Sequence, residues 1–412
     1  MKTYEAFFFI GNVIIGIYAT NLLNCFNFLG GAMKKFIYVI IFFSFFDLFT
    51  QLPVMSTYAE SLGASAFLTG LAVGMYSLSN TFGNIISGFL TDRKGPFIIL
   101  IIGLLTTGLS LTLYNLIEEP IALLVVRFIH GLVAGFIVPA AFTFLANATE
   151  QEKRGKGSAI SGAFVGIAAI IGPAFSGILA SRTSVPFVFN ITASFMLLLG
   201  ILSFFLLRAN QVKKEKAAPS TYIPISVFFN NTGTLKAFSG AFFLMFSQGV
   251  IAYLLPLKVQ SLGFDSRLSG TLMSTFGIIA VLVFLLPTNR IFDRVNPLKT
   301  LSLGIGLMGL SQLLISQADS SSLLYLAMAC YGVGFGFLFP SVNSLLIDST
   351  TAEVRGKAYG YFYAFFSLGV VLGSSLLGWL SLGVISGFIF TGIVLLIFAG
   401  VILLPHKRPS HA

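Results

Sequence analysis

Three ionisable side chains lie inside long apolar segments of this 412-residue chain: Asp47, Arg127 and His130. A charge at the centre of a membrane-spanning helix costs about 2.5 to 3.5 kcal/mol on insertion scales, so such groups normally face a cavity and mark an ion pathway. A carboxylate near an imidazole and a guanidinium can take up and release protons. These residues predict proton coupling, with Asp47 as the proton-binding carboxylate and cavity polarity or a bound molecule deciding its protonation.

Each of these residues also has a purely structural interpretation. Asp47 and Arg127 could form a structural ion pair, and Arg127 could instead bind an anionic substrate. His130 follows Arg127 by three residues and shares its helix face, where an interhelical hydrogen bond is an alternative to a proton relay. A rise of 1.5 Å per residue places Asp47 about 16 Å, His130 about 14 Å and Arg127 about 10 Å from the outer ends of their spans, so the three can meet.

The composition identifies the elements that must carry these residues. Apolar residues make up 56% of the chain and charged residues 9%, against roughly 25% charge in a soluble domain. The mean hydropathy is +0.94, and residues 97–113 and 381–404 are apolar on every face, whereas barrel strands alternate with period two. The fold class is therefore an all-α polytopic membrane protein, and neither a soluble fold nor an outer-membrane barrel fits.

Apolar segments of about 20 residues predict twelve transmembrane helices. They lie near residues 36–58, 66–90, 97–116, 121–146, 157–180, 185–207, 234–257, 268–288, 298–317, 322–347, 358–380 and 383–404. Most of the 24 Lys and Arg residues fall in the inner loops, and the outer loops hold only Arg182, Lys258 and Arg267. The positive-inside rule predicts a multi-pass protein of the cell membrane with both ends of the bundle in the cytoplasm. The net charge of +10 therefore reflects topology and does not indicate a nucleic-acid partner.

The first 32 residues stand apart from this scheme. They could form a thirteenth helix or a signal peptide, although no small-residue cleavage site follows cleanly. Gly30-Gly31 can be encoded by a purine-rich sequence just before Met33-Lys34-Lys35. We therefore expect Met33 to be the native start and residues 1–32 to be an extension that is not translated natively.

The two halves of the chain repeat at a constant offset. Asp92, Arg93 and Pro96 fall on Asp293, Arg294 and Pro297, and Gly131, Gly135, Pro139, Gly172 and Gly177 fall on Gly332, Gly336, Pro340, Gly373 and Gly378. Shared hydrophobicity alone does not align proline, glycine and charged residues. The repeat predicts two pseudo-symmetric six-helix bundles, 33–207 and 233–405, around a central cavity, with a cytoplasmic linker at 208–232 and a cytoplasmic tail at 406–412. This parallel-repeat plan is typical of alternating-access transporters.

These segments resemble the motifs of the major facilitator superfamily. The segment Gly88-Phe-Leu-Thr-Asp92-Arg93-Lys94-Gly95 is similar to the signature loop between its second and third helices, and Arg127-Phe-Ile-His130-Gly131 to its fourth-helix motif. Gly172-Pro173-Ala-Phe-Ser176-Gly177 resembles the antiporter signature, with Ser176 where a second glycine is usual. The likeness is strongest to twelve-helix drug/proton antiporters, which implies export driven by proton entry. It also implies that the first and fourth helices line the cavity.

The loop motif predicts a conformational latch built from Gly88, Asp92, Arg93, Gly95, Asp293 and Arg294. A carboxylate at the positive end of another helix gains roughly 0.3 to 1 kcal/mol. By the resemblance, Asp92 would dock near Gly356 at the start of the eleventh helix in the outward-open state. By the repeat, Asp293 would dock near Gly155. The alternative is a solvated charge pair at a helix end.

The repeat also indicates where coupling and substrate binding lie. Arg127 and His130 fall on Met328 and Tyr331, and the segment around Asp47 aligns Leu244 with that carboxylate, so coupling is confined to the N-terminal half. Amphipathic groups that could line a site for a bulky, largely apolar substrate are Gln51, Gln248, Tyr253, Tyr331, Asn343, Tyr361 and Tyr363. Packing is the alternative for each of them.

Other chemistry has no support in the sequence. There is no phosphate-binding loop, no metal-ligand spacing and no catalytic triad, so no enzyme activity and no cofactor are expected. The prediction is a proton-coupled exporter of a drug or secreted metabolite, embedded in the lipid bilayer, functional as a monomer, with a small molecule and protons as its partners. The alternatives are a proton symporter importing a polar or anionic nutrient and a non-transporting sensor or scaffold.

Overall fold

The protein, seen in a computed structural model, is a helical bundle described for residues 32–147, 154–207, 226–285 and 295–404. Its α-helices in these ranges are α1 (Ala32–Gln51), α2 (Met55–Ser61), α3 (Ala66–Lys94), α4 (Pro96–Thr112), α5 (Pro120–Ala134), α6 (Ile137–Asn147), α7 (Arg154–Arg182), α8 (Val185–Leu207), α9 (Ser226–Phe229), α10 (Thr232–Ser261), α11 (Ser266–Leu285), α12 (Pro297–Gln317), α13 (Ser321–Asp348), α14 (Ala352–Trp379) and α15 (Val384–Val401). A 3-10 turn, Leu113–Leu116, extends α4. The predicted spans match these helices to within a few residues at most of their ends.

The membrane-spanning character of these helices agrees with the predicted fold class. Ten segments are long and apolar enough to cross a bilayer, counting α5 and α6 as one span, and the bent pair α1 and α2 makes an eleventh. The 29 residues of α3 make it long enough to cross the bilayer at 1.5 Å per residue, so it accounts for the one remaining predicted span, 66–90. Its many Gly, Ser, Thr and Asn residues make it more polar than the other spans.

The first span is broken between α1 and α2, whose axes differ by 47°. Pro53 lies in this break, and proline removes a backbone donor and clashes with the preceding turn. Gln51 is the last residue of α1, and Asp47 lies one turn before it. The break therefore lies directly beside the predicted coupling residue.

The two bundles close on each other at the end that carries the loops at 62–65, 117–119, 183–184, 262–265 and 380–383. We call this the outer end, as the charge distribution predicts, and the opposite end the inner end. A Cβ atom on Gly378 of α14 would overlap the Ala66 carbonyl oxygen of α3. A Cβ atom on Gly177 of α7 would likewise overlap the Ser266 carbonyl oxygen of α11. The repeat relates these two tight seams, since Gly177 falls on Gly378.

The α3 and α14 helices are apart at their inner ends. Gly88 of α3 and Gly360 of α14 lie about five turns from Gly70 and Gly378 and so share their faces, yet a Cβ atom on either would find no atom within 4 Å. Between α7 and α11 the contact continues as far as Gly166, whose Cβ atom would lie 3.0 Å from Val281, and it has ended at Gly162, which meets nothing within 4 Å. The two bundles are thus closed at the outer end and separate at the inner end, which is the arrangement of an inward-open state.

Several predictions fall on residues that the structure does not describe. Asp293 and Arg294 of the predicted latch, residues 1–31 of the predicted extension and residues 208–225 of the predicted linker lie outside the described ranges. The tail at 406–412 lies outside them as well. For these residues the predictions therefore remain expectations from the sequence alone.

Candidate functional site

Asp47 of α1 and His130 of α5 lie in direct contact. The Asp47 Oδ2 atom is 3.1 Å from His130 Nε2, and neither side chain is exposed to any degree. Tyr76 of α3 donates to the same Oδ2 at 3.4 Å, and the Gln51 amide donates to Oδ1 at 3.3 Å. Both carboxylate oxygens thus have partners, as a buried charge requires.

The second nitrogen of His130 has its own partner. The hydroxyl of Tyr114, which lies in the 3-10 turn after α4, is 3.2 Å from His130 Nδ1. Tyr114 also packs on Phe189 of α8, with ring centroids 4.4 Å apart, and Tyr76 meets the imidazole edge-on at 5.0 Å. These contacts fix the plane of the imidazole between one hydroxyl and one carboxylate.

Arg127 does not pair with Asp47, in contrast to the structural ion pair considered from the sequence. Within 4 Å and among the described residues, the ionisable side chain that pairs with Asp47 as a base is His130. Arg127 instead donates from Nε to the Ala72 carbonyl at 2.7 Å and from Nη2 to the Val73 carbonyl at 3.0 Å. Its Nη1 donates to Gln51 Oε1, and its guanidinium lies 5.3 Å from the centre of the Tyr76 ring.

The whole cluster lies inside the N-terminal bundle. Asp47, His130 and Tyr114 are 0% exposed, and Arg127 is 3% exposed. The expectation that the ionisable residues face an open cavity therefore does not hold in this conformation. The reason is close packing of α3 on α5, where a Cβ atom on Gly131 would overlap Tyr76 and Ser79.

Sequence reasoning missed Tyr76, Tyr114 and the two carbonyl acceptors on α3. The rule of axial rise could have found Tyr76, because ten residues from the start of α3 place it about 15 Å deep, level with Asp47 and His130. Tyr114 lies close to the outer loop, and only its side chain reaches inwards, so depth along the backbone does not point to it. Backbone acceptors carry no sequence signal at all.

The described residues of the predicted latch lie in the inner half of α3 or directly after it. Gly88 lies in the inner half of α3, while Asp92 and Arg93 are exposed in its last turn, and Gly95 ends the helix at φ +85°, which favours glycine. Because the structure is closed at the outer end, the outward-open contact predicted for Asp92 stays a prediction.

The predicted antiporter motif forms one edge of an outer seam. A Cβ atom on Gly172 would lie 2.9 Å from Phe49 Cβ of α1. Pro173 lies inside α7, and its carbonyl oxygen is so close to α11 that a Cβ atom on Gly270 would overlap it. Gly177 forms the next contact with the start of α11. The motif therefore joins the fifth span to the first and eighth.

The predicted cavity residues do not form a single cluster. Tyr331, fully buried, donates to Gln248 Oε1 at 3.3 Å, and Tyr253 donates across the bundles to the Ala66 carbonyl at 3.2 Å. Gln51 is held by Arg127, and the Asn343 amide bonds to its own helix at 3.0 Å. Tyr361 packs on Phe228 of α9, with ring centroids 5.4 Å apart, while Tyr363 is 55% exposed.

The repeat-related positions in the C-terminal half hold apolar core. Leu244 and Met328, which correspond to Asp47 and Arg127, are both 0% exposed. Tyr331, which corresponds to His130, packs on Phe276 with ring centroids 5.4 Å apart. Among these equivalent positions, charge is found in the N-terminal half alone.

Comparison with known families covers nearly the whole chain. The sequence profile described as Major Facilitator Superfamily matches residues 37–280 and 237–412. The multi-drug resistance efflux pump PmrA of Streptococcus pneumoniae serotype 4 is 29% identical over 332 residues, which cover 78% of this chain and 82% of that protein. Multidrug resistance protein MdtG of Salmonella typhimurium is 28% identical over 334 residues, with coverage of 78% and 82%. An uncharacterized MFS-type transporter of Methanocaldococcus jannaschii, MJ1560, is 23% identical over 83% of this chain and 89% of that protein.

Solved structures resemble the fold as a whole. The nucleoside transporter NupG superposes with a TM-score of 0.76 at 16% identity, covering 90% of this chain and 97% of that one. A bacterial homolog of the human lysosomal transporter Spinster, solved inward-facing and unoccupied, superposes with a TM-score of 0.74 at 13% identity and the same coverage, 90% and 97%. At these identities the likeness concerns the fold, and it confirms the predicted fold class.

Proposed function

The chain belongs to the Major Facilitator Superfamily, and we propose that within this family it is a proton-coupled exporter of a small amphipathic molecule, a drug or a secreted metabolite. Family membership makes it a multi-pass secondary transporter of small molecules rather than an enzyme. The proposal adds the coupling ion, the direction and the class of substrate. It places the protein in the cell membrane, with both ends of the bundle in the cytoplasm.

The observation that carries the proposal is the enclosed contact between Asp47 and His130. A carboxylate in a membrane span is costly, and here both of its oxygens are held by side chains from α1, α3 and α5. An imidazole changes charge near neutral pH more readily than any other unperturbed side chain. A carboxylate paired with an imidazole therefore suits repeated uptake and release of a proton.

Export is supported by two kinds of observation. The relatives PmrA and MdtG are named as a multidrug efflux pump and a multidrug resistance protein. In addition, each nitrogen of the Arg127 guanidinium already donates within the bundle. Import of an anionic nutrient would need this guanidinium as the anion site, so its engagement favours the exporter over that alternative.

Proton flux in everted membrane vesicles with an acid interior tests the proposal. Ethidium, tetraphenylphosphonium and neutral amphipathic dyes are added in turn, and release of the pH gradient is recorded for wild type and Asp47→Asn. We expect at least one compound to release protons in wild type and none to do so in Asp47→Asn.

The matched control is Asp265→Asn, which removes an exposed carboxylate that lies 3.8 Å from Arg267 near the outer end. This control should behave as wild type. Release that persists in Asp47→Asn, in folded protein, would refute the assignment of coupling to Asp47. No release with any compound in wild type would refute proton-coupled export of this substrate class.

A further inference from the structure

The hydrogen bonds of the buried cluster form a path that leads away from the inner opening. Asp47 Oδ2 meets His130 Nε2 at 3.1 Å, and His130 Nδ1 meets the Tyr114 hydroxyl at 3.2 Å. Because each imidazole nitrogen faces a different oxygen, the ring bridges the hydroxyl and the carboxylate whichever nitrogen carries the proton. We propose that protons reach Asp47 from the outer side through Tyr114 and His130, along a route inside the N-terminal bundle that is separate from the substrate's path. The inference rests on the proposed function above.

The outer end of this route lies at the loop after α4. Tyr114 belongs to the 3-10 turn Leu113–Leu116, only a few residues before the exposed carboxylates Glu118 and Glu119. The Tyr58 hydroxyl donates to the Tyr114 carbonyl at 3.4 Å. Tyr58 also lines a cleft of about 350 Å³ at the outer end, together with Thr57, Ser61, Ser184 and Ser266. This cleft, which Val54, Ala180, Val185 and Pro186 also line, thus lies against Tyr58, whose hydroxyl contacts the backbone of Tyr114 from the outer side.

The inner opening offers no such approach. Asp47, His130 and Tyr114 are all 0% exposed in a structure whose bundles separate at the inner end. Water or substrate that enters from the inner side therefore does not touch the carboxylate in this state. A proton can be delivered to Asp47 only through the groups bonded to it.

Besides Tyr114 itself, the titratable and charged groups around the route come from three neighbouring spans. Asp47 and Tyr58 belong to the first span, Tyr76 to α3, and Arg127 and His130 to α5. The helix α8 packs Phe189 on Tyr114 and carries no ionisable residue between Val185 and Leu207. Arg127 donates to carbonyl groups and to Gln51, so it supplies fixed positive charge and takes no part in the transfer.

The transfer conserves protons and charge. The Tyr114 hydroxyl gives its proton to His130 Nδ1 and His130 Nε2 gives its proton to Asp47 Oδ2. Tyr114, which is buried while the outer end is closed, regains a proton from outer water when that end opens. One proton has then moved from outer water to the carboxylate, and the imidazole has only changed tautomer. The assignment makes Tyr114 a relay residue and explains why a hydroxyl is bonded to the second imidazole nitrogen.

The test removes the Tyr114 hydroxyl and keeps its ring. Tyr114→Phe retains the packing on Phe189, and His130→Gln retains hydrogen bonding without an imidazole. Both are compared with wild type in acid-interior everted vesicles, using the panel compound that releases protons in wild type. Exchange of that labelled compound against its unlabelled form is measured in parallel, because exchange needs no net proton transfer.

We expect proton release to fall at least tenfold in both variants while exchange stays within twofold of wild type. The control Tyr325→Phe removes a hydroxyl that bonds Thr271 at 2.7 Å in the C-terminal bundle, and it should leave both rates unchanged. Unchanged proton release in Tyr114→Phe would overturn the route. An equal loss of proton release and of compound exchange would also overturn it, because such a loss indicates a structural role for the hydroxyl. If the wild-type protein itself releases no protons, both the proposed function and the route fail. A result seen only in the variants tests the route alone, so the two failures can be told apart.

Discussion

The guanidinium of Arg127 ties three polypeptide segments together within the membrane. It donates to two consecutive carbonyls of α3 and to the side chain at the end of α1. A guanidinium presents its donors in a rigid planar fork, whereas an ammonium is a compact point charge. The geometry therefore demands arginine rather than any cation.

Arg127→Lys should destabilise the folded protein. An ammonium at this position cannot reach both carbonyls and Gln51 at once, and each hydrogen bond of a charged group is worth about 1.5 to 3 kcal/mol. We expect the thermal unfolding midpoint in detergent to fall by several degrees. Arg267→Lys, at an exposed ion pair with a 3.8 Å separation, is the control and should leave the midpoint unchanged. A stable Arg127→Lys protein that has lost uptake of an anion would instead favour the import alternative.

The depth of the site residues could be predicted from the sequence, but their pairing could not. Axial rise correctly places Asp47 and His130 near one level, and it places Arg127 one turn nearer the outer end. Which side chains touch depends on the rotation of each helix about its axis, and uniformly apolar helices give no periodic signal for that rotation. The sequence therefore allowed the ion pair of Asp47 with Arg127, while packing selects His130.

Among the elements, the two seams at the outer end depend on small residues. Gly70 and Gly378 join α3 to α14, and Gly177 and Gly270 join α7 to α11. In membranes, helix association depends on such close backbone approach because apolar surface gains little by leaving lipid. The alignment of Gly177 with Gly378 was visible in the sequence, but the partner helix of each seam was not.

Gly70→Ala should weaken the outer seal. Its Cβ atom would overlap the Ser374 carbonyl oxygen, whereas a Cβ atom at the control position, Gly400 of α15, meets nothing within 4 Å. In a background with Cys25 and Cys330 replaced by Ser, spin labels at Phe67 and Leu380 report the separation of α3 and α14 at the outer end. We expect a longer distance population in Gly70→Ala and a wild-type distribution in Gly400→Ala. Identical distance distributions in all three proteins would show that α3 and α14 accommodate the added methyl group without opening the outer end.

At the scale of the whole molecule, the structure is closed at the outer end and open at the inner end. Asp92 lies exposed in the last turn of α3, where the dipole of its own helix disfavours a carboxylate. A residue in this position is expected to gain stability from another helix end in the opposite state. Asp92 is therefore predicted to act on the balance between states and not on the stability of either bundle.

Asp92→Asn should shift the population towards the inner-open state. A helix-end contact of roughly 0.3 to 1 kcal/mol corresponds to about a twofold to fivefold change in the ratio of states. The same label pair at Phe67 and Leu380 measures the ratio, and thermal unfolding should be unaltered. Asp348→Asn, an exposed carboxylate at the end of α13, is the control. A ratio that moves towards the outer-open state in Asp92→Asn would contradict the latch.

The placement of the buried Asp47–His130 pair in one bundle has a consequence for how such a transporter can change over time. Leu244 and Met328 show that the second bundle carries no counterpart of the Asp47 carboxylate or the Arg127 guanidinium. Under the proposed coupling through Asp47 and His130, residues of the other bundle that contact the transported molecule can be exchanged without changing that coupling. A chimaera that joins residues 33–207 to the second half of a relative should then inherit the relative's substrate preference and keep the dependence on the proton gradient proposed for this protein. Selection by a new toxic compound would accordingly leave its substitutions mainly in the half without the Asp47–His130 pair.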